Sequence, residues 1–87
     1  MSIGQVVFAR CGRDKGKAFV VINVQDEYLY LVDGKLRTLD KPKKKKAKHV
    51  QPTNYIVNLN VFGMSGRALQ NADIRKELKA IVAKSGM

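Results

Sequence analysis

Residues 5–24, Gln5-Val6-Val7-Phe8-Ala9-Arg10-Cys11-Gly12-Arg13-Asp14-Lys15-Gly16-Lys17-Ala18-Phe19-Val20-Val21-Ile22-Asn23-Val24, set a tight basic loop with two glycines between two apolar runs. Residues 3–11 read as one strand, with Val6 and Phe8 alternating against Gln5, Val7 and Ala9. Gly12 through Gly16 break that pattern with a turn. Residues 17–25 read as a second strand. Its run from Ala18 to Val24 is apolar on both faces, which suits a strand in the middle of a barrel.

Working outward, Asp26-Glu27 is a short polar connection, more a turn than an acid/base couple, and Tyr28–Val32 forms a third strand. Asp33-Gly34 is the strongest two-residue hairpin signal, because a type I′ turn needs residues that accept positive φ. A fourth strand is therefore expected over residues 35–39. Lys41-Pro42-Lys43-Lys44-Lys45-Lys46-Ala47-Lys48 follows, six lysines in eight residues. Like charges repel, so this run is expected to be a solvated loop. His49-Val50-Gln51 reads as a short fifth strand stopped by Pro52. Residues 54–66 are either strand or an apolar loop laid over the barrel, with Asn54, Asn58, Asn60, Gly63 and Gly66 favouring irregular backbone. The chain then ends in a helix with Asn71 as N-cap and Asp73 in the first turn. Ile74, Leu78, Ile81 and Val82 form one apolar stripe that docks on the barrel, and Ser85-Gly86 stop the helix. The fold class is mainly β: a small barrel of about five strands, residues 1–53, with an extension and C-terminal helix, residues 54–87, in the same single domain.

Composition narrows the function. Eighty-seven residues suit one domain with a modest core, and an apolar content of 45% argues against disorder. Seventeen basic residues against seven acidic ones give a net charge of +10, which favours a polyanionic partner. The single cysteine, Cys11, has no partner for an internal disulfide and is expected to be a small buried apolar residue. One cysteine and one histidine do not make a metal site at usual spacings. Without a signal-like start or an apolar run of about 20 residues, a cytoplasmic protein is expected.

The segment from Ile3 to Phe8, then Gly12, Gly16-Lys17 and Val20-Val21-Ile22, resembles a KOW motif. With the lysine run and Lys48-His49-Val50-Gln51-Pro52-Thr53 in the same order, residues 3–53 resemble the large-subunit ribosomal protein family called fourteen-e, and short KOW-domain RNA-binding proteins similar to it. The resemblance implies an SH3-like barrel whose first hairpin carries an RNA-contacting loop.

The expected function is non-enzymatic RNA binding, with ribosomal RNA of the large subunit as the implied partner and neighbouring ribosomal proteins as further contacts. The residues expected to meet RNA are Arg10, Arg13, Lys15 and Lys17 around the loop glycines Gly12 and Gly16, then Lys35 and Arg37, then Lys41, Lys43, Lys44, Lys45, Lys46 and Lys48, and His49. Arginine can fork two bonds to a phosphate or stack on a base, whereas lysine places the protein on the backbone without reading sequence. His49 can meet phosphate or base, or simply fill a strand edge. Phe8, Phe19, Tyr28 and Tyr30 are expected to be mostly core, with a stacking platform for single-stranded RNA as the alternative. No cofactor, metal, membrane or small-molecule substrate is expected. Two other functions remain open: an SH3-like protein-interaction module, and a non-ribosomal RNA-binding factor in transcription or translation.

Overall fold

A computed structural model describes residues 1–59 and 69–84. Five strands form one antiparallel sheet: β1 (Gln5–Ala9), β2 (Ala18–Gln25), β3 (Tyr28–Val32), β4 (Lys43–Lys46) and β5 (Val50–Ile56). Their order across the sheet is β4-β3-β2-β1-β5. The helix α1 spans Asn71–Lys84.

The sheet's two edge strands, β4 and β5, are joined by a 3-10 helix of three residues, Ala47–His49. Such a helix rises only about 2 Å per residue, so this connection spans roughly 6 Å. A flat five-stranded sheet would hold its edges about 19 Å apart, at roughly 4.8 Å per strand spacing. The sheet must therefore curl until its edges meet, giving the barrel-like arrangement of KOW and SH3-like folds. Hydrogen bonds pin the join on both sides. The Ala47 amide donates to the Glu27 carbonyl at the start of β3, at 2.9 Å, and the Arg10 amide after β1 donates to the His49 carbonyl, also at 2.9 Å. Irregular register between Val21 and Asn23 of β2, and between Gln5 and Val7 of β1, adds the local bend.

A curled sheet has two faces to bury, and the alternation of β1 and β2 fills both. Val7, Ala9, Phe19, Val21, Leu29, Leu31 and Val50 pack inside the curl. Val6, Val20 and Val32 pack on the other face with Val57 and with Ile74, Leu78 and Ile81 of α1. The helix docks through the stripe read from its sequence, with Val82 half-buried beside it. Each of its three buried side chains contributes about 1.5–3 kcal/mol of transfer free energy.

Three sequence expectations need correction. Residues 35–39 are not a strand: the fourth strand is the lysine run itself, Lys43–Lys46 paired with β3. The two-residue hairpin turn is Asp26-Glu27, with Asp26 at φ +54, and not Asp33-Gly34. Gly34 instead lies at φ +80 under α1, where a Cβ would strike the Asn71 carbonyl and Arg75. Asp33 organises its loop, its carboxylate accepting the Lys35 and Arg37 amides at 2.9 Å each. β5 also runs through Pro52, which sits opposite Val7. Proline lacks an amide donor but is tolerated there because β5 is an edge.

The helix start differs as well. Asn71 is not the N-cap; its side-chain oxygen accepts the Leu39 amide at 2.8 Å, tying α1 to the segment before β4. The Gln70 carbonyl accepts the Asp73 amide at 3.0 Å, and the Asp73 carboxylate reaches back to accept the Gln70 amide at 2.9 Å, so the side-chain capping bond comes from Asp73. Of the uncertain stretch 54–66, residues 54–56 belong to β5 and 57–59 leave the sheet. Its remainder, and the helix stop at Ser85-Gly86, lie outside the described residues.

Candidate nucleic-acid interface

The β1–β2 loop is shaped by its glycines. Gly12 and Gly16 adopt φ +81 and +86, and a Cβ at either would meet nothing within 4 Å. They are therefore needed for backbone conformation, and the space beside them stays open to a partner. The Gly16 amide donates to the Ala9 carbonyl at 2.9 Å and the Ala9 amide to the Lys17 carbonyl at 3.0 Å, closing the loop base. Arg13 and Lys15 stand exposed at its tip.

Strand geometry splits the lysine run. Directly opposed residues in an antiparallel pair share a face. Lys43 opposes Leu31 and Lys45 opposes Leu29, both inside the curl, whereas Lys44 opposes Tyr30 and Lys46 opposes Tyr28 on the other face. The Lys43 and Lys45 stems cover the edge of the inner core while their ammonium groups reach out. Both reach the β1–β2 loop: the Lys43 ammonium donates to the Asp14 carboxylate, and the Lys45 ammonium to the Cys11 carbonyl at 3.1 Å. The Lys17 ammonium lies 3.7 Å from the same carboxylate.

Asp14 is the one acid inside this basic loop. The Lys43 hydrogen bond holds its carboxyl below the usual value of 3.8, against a smaller opposing effect of burial, with the charges of Lys43, Lys17 and Arg37 adding to the depression. Asp14 is thus outnumbered by the cations it gathers, and the loop keeps net positive charge. The same grouping brings Arg37 to this side, while Arg10 sits beside His49 through their backbone bond. Lys41 and Lys48 are exposed at either end of β4.

The structure therefore gathers Arg10, Arg13, Lys15, Lys17, Arg37, Lys43, Lys45 and His49 around the loop. Lys44 and Lys46 are not part of that group. Lys35 opens instead onto a cleft of about 1090 Å³ between the loops and α1, which it shares with Lys17, Arg75, Lys76 and Lys79 over an apolar floor that includes Leu78. Arg75, Lys76 and Lys79 reach this cleft only because α1 docks beside the loops. Cys11 is exposed, not buried, because it lies in the loop. Of the four aromatics expected to be mostly core, only Phe19 is fully enclosed; Phe8, Tyr28 and Tyr30 are half-buried.

No family model matches the chain. Among curated proteins, large ribosomal subunit protein eL14 of Staphylothermus marinus is 29% identical over 87 residues, a match covering 94% of this chain and 90% of that protein. The chain resembles the eL14 family. A match of that extent reaches beyond residues 3–53, where the motifs lie, and takes in most of α1 as well. The sequence likeness therefore spans the segments of both sheet and helix. No helix among the described residues is long and apolar enough to cross a membrane.

Proposed function

We propose that this chain is a non-enzymatic ribosomal or ribosome-associated protein of the cytoplasm that binds large-subunit ribosomal RNA through the β1–β2 loop and the inner-facing lysines of β4. One observation carries the reading: Lys43 and Lys45 reach across to Asp14 and Cys11, so two basic segments some thirty residues apart form one cationic surface. Its similarity to an eL14 protein supports a ribosomal partner. Arg13 and Lys15 at the exposed tip meet phosphates first, and the open space beside Gly12 and Gly16 lets the RNA backbone approach the loop amides.

The test is binding to large-subunit ribosomal RNA across a salt series, with co-sedimentation on ribosomal subunits. Each phosphate neutralised contributes about 0.7–0.9 to the log–log slope, so Arg13→Ala with Lys15→Ala should flatten it by about 1.5. A slope unchanged by that double substitution would remove the loop from the interface.

A protein partner is the second reading. The cleft beside α1 sets apolar Leu36 and Leu78 among Lys17, Lys35, Arg75 and Lys76, a surface suited to an acidic protein segment such as a neighbour on the ribosome might present as easily as a factor elsewhere in translation. Retention of a protein partner after nuclease treatment would favour it.

A further inference from the structure

The outer face of β2, β3 and β4 carries a repeated arrangement that the loop does not use. Gln25 opposes Tyr28, and Tyr28 opposes Lys46; one step along, Asn23 opposes Tyr30, and Tyr30 opposes Lys44. Each rung runs carboxamide, phenol, ammonium across three strands on one face. The Lys44 ammonium stands 4.4 Å from the centre of the Tyr28 ring, and Lys46 stands 6.0 Å from it. The Tyr30 hydroxyl donates to the Gln25 side-chain oxygen at 3.0 Å, and the Asn23 side-chain oxygen accepts the Val24 amide at 2.9 Å. Both amide oxygens are engaged, which leaves the amide NH2 groups as donors. Glu27 lies 3.9 Å from Lys46.

We infer that this ladder is a second nucleic-acid site, one that takes two successive unpaired nucleotides of a single strand, one per rung. The inference rests on the RNA-binding reading above and names a different part of the RNA from the part held by the loop. Both tyrosines are half-buried, so their rings are fixed at the base and open on one side. An unpaired base stacks on such a ring more strongly than an exposed ammonium does. The base therefore displaces Lys44, which swings to the adjoining phosphate. Lys46 leaves Glu27 for the next phosphate. Successive rungs lie two residues apart along a strand, about 6.7 Å, roughly twice the 3.4 Å rise between stacked bases. A strand bound here is splayed, with its base edges open to the Gln25 and Asn23 amides, and a duplex cannot enter.

The experiment compares two probes on the full chain: an unstructured RNA hexanucleotide carrying 2-aminopurine, and an RNA hairpin whose stem is closed by a non-nucleotide linker, so that every base in it is paired. The chain has three tyrosines and no tryptophan, so tyrosine emission reports stacking directly. In the wild type the hexanucleotide should quench tyrosine emission and the duplex should not. Tyr28→Leu should weaken hexanucleotide binding by about 5- to 150-fold, the range that one base stack is worth, and leave hairpin binding within about twofold. Tyr28→Phe should bind both probes as the wild type does. Arg13→Ala with Lys15→Ala should weaken the hairpin more than the hexanucleotide. Should Tyr28→Leu fail to fold, Gln25→Ala on the exposed end of β2 and the wild-type quench decide the matter. Hairpin binding with no quench and no loss in these variants overturns the ladder and leaves the loop reading intact. Failure of the wild type to bind either RNA overturns both.

Discussion

Lys43, on the edge strand β4, donates a hydrogen bond to the Asp14 carboxylate in the β1–β2 loop, with the two side chains only 25% and 15% exposed. This contact clamps the loop to the far edge of the curled sheet. It also makes stability depend on the charge of Asp14. Its carboxyl titrates below its ordinary value of 3.8, so the stabilisation is complete above that pH and is lost as pH falls through the depressed value. Asp14→Asn should cost about 1–2 kcal/mol at pH 7. The gap from wild type should start to narrow as pH drops past 3.8 and close only below the depressed carboxyl value. Urea unfolding at pH 7, 5, 3 and 2 measures it; a gap that stays constant with pH would assign the effect to shape instead of charge.

Reversing charge on neighbouring lysines should give unlike results. Lys43→Glu sets a second carboxylate against Asp14 and should destabilise by about 2 kcal/mol or more. Lys44→Glu, exposed on the other face, loses only its contact with Tyr28 and should cost about 0.5–1 kcal/mol. At about 4–8 °C per kcal/mol for a domain this size, thermal melts separate the two. Equal shifts would mean that β4 does not alternate its side chains as described.

Gly12→Ala and Gly34→Ala test two uses of positive φ. At Gly12 the added methyl meets open space, and only the backbone strain of about 1–2 kcal/mol is expected. At Gly34 the same strain is joined by a clash with the Asn71 carbonyl, so the loss should exceed 3 kcal/mol. Denaturant midpoints compare them, and a smaller effect at Gly34 would show that α1 does not press on this loop.

Ile74→Ala removes a fully buried side chain from the joint between α1 and the sheet. A loss of about 2–5 kcal/mol is expected. Circular dichroism and denaturant titration read it together. Helix content that melts well before the sheet would show that α1 unfolds independently of the barrel.

Much of this architecture was legible in the chain. The apolar runs around Gly12–Gly16 and the stripe Ile74-Leu78-Ile81 act through side-chain periodicity, which is local. The lysine run shows where local reasoning stops. Read as a row of like charges it should avoid order, yet a strand sends neighbours to opposite faces and thereby separates them. Lysine is also well suited to an edge strand, where it discourages pairing with other chains. What recruits these lysines is β3, whose Leu29 and Leu31 accept their stems and whose Tyr28 and Tyr30 receive the others. Asp33-Gly34 misled for a related reason: a glycine suited to a hairpin serves equally where a helix presses on the backbone.

Sequence alone determined the strand-rich character, the docked helix, the excess of positive charge and the likeness to KOW proteins, because each depends on residue type and on spacing along the chain. Tertiary structure decided which cations act together. Curling the sheet until a 3-10 turn spans its edges sets Lys43 and Lys45 against the β1–β2 loop and turns Lys44 and Lys46 toward the tyrosines. That division follows from strand register across the sheet, a relation between distant segments that no single stretch of sequence contains.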